Sequence, residues 1–279
     1  MFPILAGDYG SLFSIKSYGV MVALGFLAAL GVGRARARAV GIPPEIVSDV
    51  GTWVVVAGLL GARLLYVVAF WDQFRDRPVS ILWIWEGGLV LYGGILAGTA
   101  AGIVVVMRRH LPLWRFADAV APGTLLGIAL GRIGCFLNGC CWGPVCDEGA
   151  WYAVRFPTHS LAYREMAARG ILSGAESGTP PLFPAQLAYA AADLVLFGTL
   201  LCLSRWKRYE GQVFCWFVGG YAILRFGLER FRADVVRHAW GPTSGTLAQW
   251  ISLAVLVAIT LLSVWLRRRC DRRDEEGMI

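Results

Sequence analysis

This chain predicts an all-α integral membrane protein, and three observations lead there. Hydrophobic residues fill 57% of its 279 positions and charged residues only 16%, well outside the usual composition of a soluble domain. Seven stretches have the roughly 20 mostly apolar residues that a helix needs to cross hydrocarbon: 16–33, 49–70, 88–107, 117–137, 183–203, 212–231 and 246–266. The alternating period of an outer-membrane barrel strand is absent, and the runs are too long for one.

Basic residues give the seven helices a direction. Arg34, Arg36 and Arg38 follow the first run, Arg108, Arg109 and Arg115 the third, and Arg205, Lys207 and Arg208 the fifth. Arg267, Arg268, Arg269, Arg272 and Arg273 follow the seventh. Positive loops remain in the cytoplasm, so the N-terminus is expected outside and the C-terminus inside. Much of the net charge of +7 is then topology, and no nucleic-acid partner is implied. The first run has no basic leader and no small-residue cleavage site, which predicts a retained helix.

The expected organisation is a single membrane domain over 1–279, with a small extracytoplasmic head at 138–182 between the fourth and fifth helices and a cytoplasmic tail at 267–279. The head segment is too long and too rich in Gly, Pro and aromatic residues to be a simple turn. Trp71, Trp83 and Trp85 mark 71–87 as an interfacial loop, because tryptophan favours headgroup level. No inverted repeat is visible, which argues against a secondary transporter.

Counting about 1.5 Å of rise per residue puts the polar residues of the spans in one leaflet. Arg63, Arg132 and Arg225 lie near outer helix ends, with Tyr18, Tyr92, Gln186 and Asp193 at a similar level. Arg225 and Glu229, four apart, share a helix face. An intramembrane arginine costs about 2.5–3.5 kcal/mol, so each needs compensation. One reading is internal pairing with Glu229 and Asp193, while Arg230 and Arg232 snorkel to the interface. The other is a site for an anionic headgroup, since guanidinium meets phosphate in bidentate, charge-assisted geometry. Glycines carry the same ambiguity. Gly94 and Gly98 have the spacing of close helix packing, whereas Gly87, Gly88, Gly139 and Gly143 suggest irregular backbone lining a cavity.

The segments "SYGVMVALGF", "GARLLYVVAF", "WEGGLVLYGGILAG", "GRIGCFLNGCCWG", "WYAVRFP", "FPAQLAYAA", "RYEGQVF", "RFGLERFR" and "LAQWISL", in this order and spacing, resemble the bacterial prolipoprotein diacylglyceryl transferases along nearly the whole chain. The resemblance implies a multi-pass enzyme of the bacterial cytoplasmic membrane. Its reaction would move the diacylglyceryl group of phosphatidylglycerol onto the lipobox cysteine of a preprolipoprotein signal peptide and release glycerol phosphate. Membrane lipids and these two substrates are the implied partners; no metal or soluble cofactor is implied. By position, Arg132 matches the signature arginine, Arg225 the essential arginine of the sixth helix and Glu229 its companion. Tyr18, Asn138 and Gly143 match further family positions, and Arg63, Gln186 and Arg232 fall on supporting ones.

Three departures stand out within that resemblance. Tyr92 occupies the place of the family's histidine before GG, Cys135 replaces the signature's first asparagine, and Cys140 replaces a glutamate. Tyr92 is then the candidate to meet the phosphate or the attacking thiol, although tyrosine, with a reference pKa of about 10, is a poor base unless nearby arginines lower it. His110, His159 and His238 lie elsewhere. Cys135, Cys140, Cys141 and Cys146 cluster at the outer end of the fourth helix and admit several readings. These are a disulfide from Cys146 to Cys140 or Cys141, apolar packing, or a functional thiol at Cys140 beside Arg132. Zinc is disfavoured because no histidine pattern completes a site. Two other functions fit the same scaffold: a transferase with another lipid or acceptor, and a lipid-binding or transport protein without turnover.

Overall fold

The computed structural model describes residues 4–6, 15–84, 87–174, 176–233 and 245–276. Trp85 and His238 lie outside the described residues. Among the described residues eight α-helices follow one another: α1 Ser17–Ala39, α2 Pro44–Ala69, α3 Leu91–Arg108, α4 Leu113–Asn138, α5 Leu161–Ala168, α6 Ala185–Leu203, α7 Gln212–Leu228 and α8 Leu247–Glu276. A short antiparallel ribbon, β1 Ile4–Ala6 with β2 Ile15–Lys16, precedes α1 and is the one departure from an all-helical chain among the described residues.

All seven predicted runs are helical, because a long apolar segment satisfies its backbone only within itself. Six of the helices are long and apolar enough to cross a membrane. The remaining one, α7, has 17 residues and is prolonged by a 3-10 turn at Glu229–Phe231. Leu27, Leu60, Leu64, Val195, Val257 and Leu261 are exposed, a distribution suited to lipid and costly in water.

The chain divides into two compact units, residues 30–120 and residues 1–29 with 121–279. In the first, α2 and α3 touch backbone to backbone. A Cβ added at Gly61 would lie 2.3 Å from Ala97 Cβ, and one at Gly93 2.3 Å from the Gly61 carbonyl oxygen. Gly94 and Gly98 belong to the same seam, facing the carbonyls of Gly58 and Val54, as close small-residue packing requires. Ala37, Ile42, Val47, Val50, Val106, Phe116 and Ala119 form this unit's core.

In the second unit α1 meets α4 in the same way, with Gly25 against the Gly127 carbonyl and Gly123 against that of Ala29. Ala121, Leu125, Leu200 and Val213 tie α4, α6 and α7 together. Between α4 and α6 the chain builds a small core of its own from Trp142, Phe156, Ala162, Met166 and Leu182. The short α5 starts on Ser160, whose hydroxyl accepts from the Tyr163 amide at 3.2 Å, an ordinary serine N-cap. Bridges from Val145 and Val154 to Leu182 close this insertion onto the start of α6.

Candidate active site

Parts of α4, α6 and α7 and the loop after α4, all in the second unit, supply the site. On α6, Tyr189 is buried and lies between two arginines. The Arg132 guanidinium carbon sits 4.5 Å from the Tyr189 ring centroid, and that of Arg225 sits 5.7 Å from the same ring. Arg225 Nη1 also donates to the Tyr189 hydroxyl at 3.3 Å, and Arg132 Nη2 donates to the Tyr221 hydroxyl at 3.4 Å. A tyrosine face attracts a guanidinium without taking its N–H groups, so these contacts among the described residues leave each arginine donors for an anion.

Glu229 fixes the second arginine. Its carboxylate is buried, and Arg225 Nη2 lies 3.2 Å and Arg232 Nη1 4.0 Å from its Oε2. Thr246 Oγ1 donates to Oε1 at 3.2 Å. The i,i+4 spacing read from sequence is thus a real ion pair. One carboxylate faces two arginines here, which leaves a positive surplus with Arg132 added. Asp193 is buried close enough to Arg132 to feel its charge, although neither carboxylate oxygen has a hydrogen-bond partner. It lies two turns further along α6 than Gln186, where no guanidinium reaches it in a hydrogen bond.

The end of α4 explains how the cysteines meet. Gly139 takes φ +75°, its amide donates to the Phe136 carbonyl at 3.2 Å, and the Cys140 amide donates to the Cys135 carbonyl at 3.1 Å. Those two bonds are a Schellman cap, which folds the second residue past the helix back over its last turn. Cys135, Cys140 and Cys141 therefore converge, with their sulfur atoms within 4.8 Å of one another. All seven cysteines are free thiols, so of the readings open to them the disulfide from Cys146 is not formed. Cys146 turns instead toward the Pro144 carbonyl, because the chain runs away from α4 to join Phe183. Gly143 makes that join possible: its amide donates to the Phe183 carbonyl, and a Cβ there would lie 2.6 Å from the same oxygen.

The remaining residues of this unit take their places around the thiols. Asn138 Nδ2 lies 4.0 Å from Cys140 Sγ, and Arg232 Nη2 lies 3.8 Å from Cys141 Sγ. Gln186 Nε2 donates to the Cys140 carbonyl at 2.6 Å, which holds the loop on α6. Tyr18 opens α1 and packs on Gly134, where an added Cβ would lie 3.3 Å from its ring.

Arg63 and Tyr92 belong to the other unit. Arg63 is buried and satisfied by backbone alone. Its Nε donates to the Ile81 carbonyl at 2.8 Å, Nη1 to those of Gly87 and Gly88 at 2.7 and 3.1 Å, and Nη2 to those of Ser80 and Trp83 at 2.6 and 3.4 Å. Gly87 and Gly88, at φ +94° and +72°, turn their carbonyls to this guanidinium; a side chain on Gly88 would collide with Arg63 and Tyr66, whereas one on Gly87 would meet open space. Tyr92, in the first turn of α3, is about half exposed.

Sequence reasoning missed Tyr189 and Tyr221. The second arginine-matched tyrosine had a signal, since "FPAQLAYAA" sets Tyr189 three residues after Gln186 on one helical face.

Helices of membrane-spanning length and a pair of arginines gathered on one tyrosine define the class as an integral membrane protein. The chain belongs to the prolipoprotein diacylglyceryl transferase family, whose model matches residues 8–265. Phosphatidylglycerol–prolipoprotein diacylglyceryl transferases of Burkholderia lata and Neisseria meningitidis serogroup C are similar to it. The first is 31% identical, over 92% of this chain and 92% of the relative. The second is 33% identical, over 88% of this chain and 89% of the relative. A longer relative of the same name in Rhodopirellula baltica is 34% identical over 58% of this chain, which spans 34% of that protein.

Proposed function

We infer that the protein transfers the diacylglyceryl group of phosphatidylglycerol to the lipobox cysteine thiol of a prolipoprotein signal peptide and releases glycerol phosphate. The observation that carries this is the pair Arg132 and Arg225, both gathered on the Tyr189 ring, in a chain of this family. The thiol attacks a glyceryl carbon, and the bond to the phosphate oxygen breaks. Negative charge then grows on the phosphate, where the two guanidiniums are preorganised to meet it; donors aimed at developing charge in a water-poor site are a large catalytic contribution.

Glu229 orients Arg225 and Arg232, and Gln186 and Asn138 hold the loop that carries the thiols. Gly143 serves by allowing that loop to approach Phe183, and Tyr18 borders the pocket. Arg63 acts through the loop it organises. Tyr92, at the family's histidine position, is assigned to proton transfer or phosphate contact. The protein is a seven-span bacterial inner-membrane enzyme with its N-terminus and the 138–182 head outside and the 267–279 tail in the cytoplasm, a topology supported by the arginine-rich loops.

The test is to incubate purified protein with phosphatidylglycerol and a lipobox signal peptide, following peptide mass and glycerol phosphate. A peptide heavier by one diacylglyceryl group, with stoichiometric glycerol phosphate, is expected. Lipid binding without transfer would overturn the reaction while leaving the headgroup site.

A further inference from the structure

We propose that Cys135, Cys140 and Cys141 are a three-thiolate site for a thiophilic divalent metal, zinc in the first instance, and that its fourth position takes the acceptor cysteine of the substrate peptide. The second half of this rests on the transferase reading above; the first does not.

Zinc binds thiolates at about 2.3 Å in a tetrahedron, which separates its sulfur ligands by about 3.8 Å. The three sulfur atoms lie within 4.8 Å of one another, so a small contraction suffices. That contraction needs no backbone rearrangement, because the Schellman cap already holds Cys140 over Cys135. Cys141 completes the group from a left-handed backbone conformation, φ 60°, uncommon for a side chain other than glycine, asparagine or aspartate. Outer partners are present as well. Arg232 reaches Cys141 Sγ and Asn138 reaches Cys140 Sγ, the kind of N–H donors that surround metal-bound sulfur. Arg232 supplies positive charge beside three thiolates.

Among the described residues no histidine or carboxylate joins the group. Three protein ligands and one open position is the pattern of a reactive rather than a structural zinc site. A thiol that coordinates such a metal is deprotonated. The acceptor cysteine would lose its proton to water on binding, and its sulfur would keep the electron pair. That pair forms the S–C bond to the glyceryl carbon as the C–O bond to phosphate breaks and its pair departs with glycerol phosphate. No atom changes oxidation state by electron transfer, so no oxidant or reductant is needed. Such a site answers the absence of the family's histidine: coordination ionises the thiol and so lightens the demand on Tyr92 as a base.

Cobalt(II) gives the test a readout apart from activity. Reduced, metal-stripped full-length protein in detergent, loaded with cobalt(II), should bind one ion per chain and show thiolate-to-cobalt charge-transfer absorption in the near ultraviolet. Cys135→Ser, Cys140→Ser and Cys141→Ser should each weaken cobalt and zinc binding at least about tenfold, as loss of one of three ligands demands. Cys146→Ser, outside the group, should bind as the parent does. Adding lipobox peptide should strengthen the charge-transfer band by one further thiolate, and a peptide with serine in place of its cysteine should not. Absence of the band in protein with all seven cysteines reduced would overturn the metal site and leave the transferase reading to its own assay. A cobalt-loaded protein whose band ignores the cysteine peptide would overturn the activating role.

Discussion

Arg63 and the pair Arg132–Arg225 look alike in the sequence, each an arginine near the outer end of an apolar helix, and their surroundings make opposite use of the charge. Arg63 directs all three of its nitrogen atoms to carbonyl oxygens of one loop. Arg132 and Arg225 lean on a tyrosine ring and have few hydrogen-bond partners. A saturated guanidinium is a scaffold, because a new anion would have to displace carbonyls that water cannot re-satisfy at that depth. An unsaturated one is poised for a ligand. Counting donors therefore separates structural from functional arginines where position along the helix does not.

The largest expected effect falls on the unsaturated pair. Arg132→Ala or Arg225→Ala should lower transfer by a factor of about 10³, roughly 4 kcal/mol, with thermal unfolding in detergent unchanged for Arg132→Ala and lowered for Arg225→Ala, which strands the buried Glu229; activity near the parental level in either variant breaks the contrast outright. Arg63→Ala should do the reverse, lowering stability by about 3 kcal/mol through stranded carbonyls while the folded fraction loses far less kcat than either of those variants. Arg63→Lys should not restore that stability, since an ammonium lacks the planar fork. Tyr92→Phe removes one hydroxyl, and the proton-transfer assignment calls for a loss of about 10²-fold. Full activity there would shift the activation of the thiol wholly to the cysteine group. Gly139→Ala should cost about 1 kcal/mol from its positive φ alone, more with Ser160 Cβ at 2.9 Å from the added methyl, seen as a lower unfolding midpoint. Tyr189→Phe keeps the ring between the arginines and loses one hydrogen bond, about 1 kcal/mol; a severalfold fall in kcat/KM sharpens the distinction between ring and hydroxyl.

Parts of this site were legible because they are local. The helices follow from apolar length, and the Arg225–Glu229 contact follows from a spacing of four. Gly139 after Asn138 reads as a helix C-cap, and that cap by itself brings Cys135 and Cys140 together. Cys141 joining them, and Cys146 leaving, depend on Gly143 meeting Phe183, a contact between segments about forty residues apart. Asp193 meets Arg132 through its charge and not through a hydrogen bond, a distinction the sequence does not carry. Its helix face puts it near the arginines in projection, but hydrogen bonding is decided by a few ångströms of packing.

What the sequence determined by itself is the class: hydrocarbon selects length and apolarity so strongly that helices, and charged loops between them, can be read residue by residue. Its motif order also suffices for the family. The tertiary structure alone decided which arginine is spent on carbonyls and which is left for a ligand, and which cysteines converge. Those outcomes are set by contacts between distant segments, where a donor's partner or a sulfur's neighbour is chosen by packing and not by the period of any one helix.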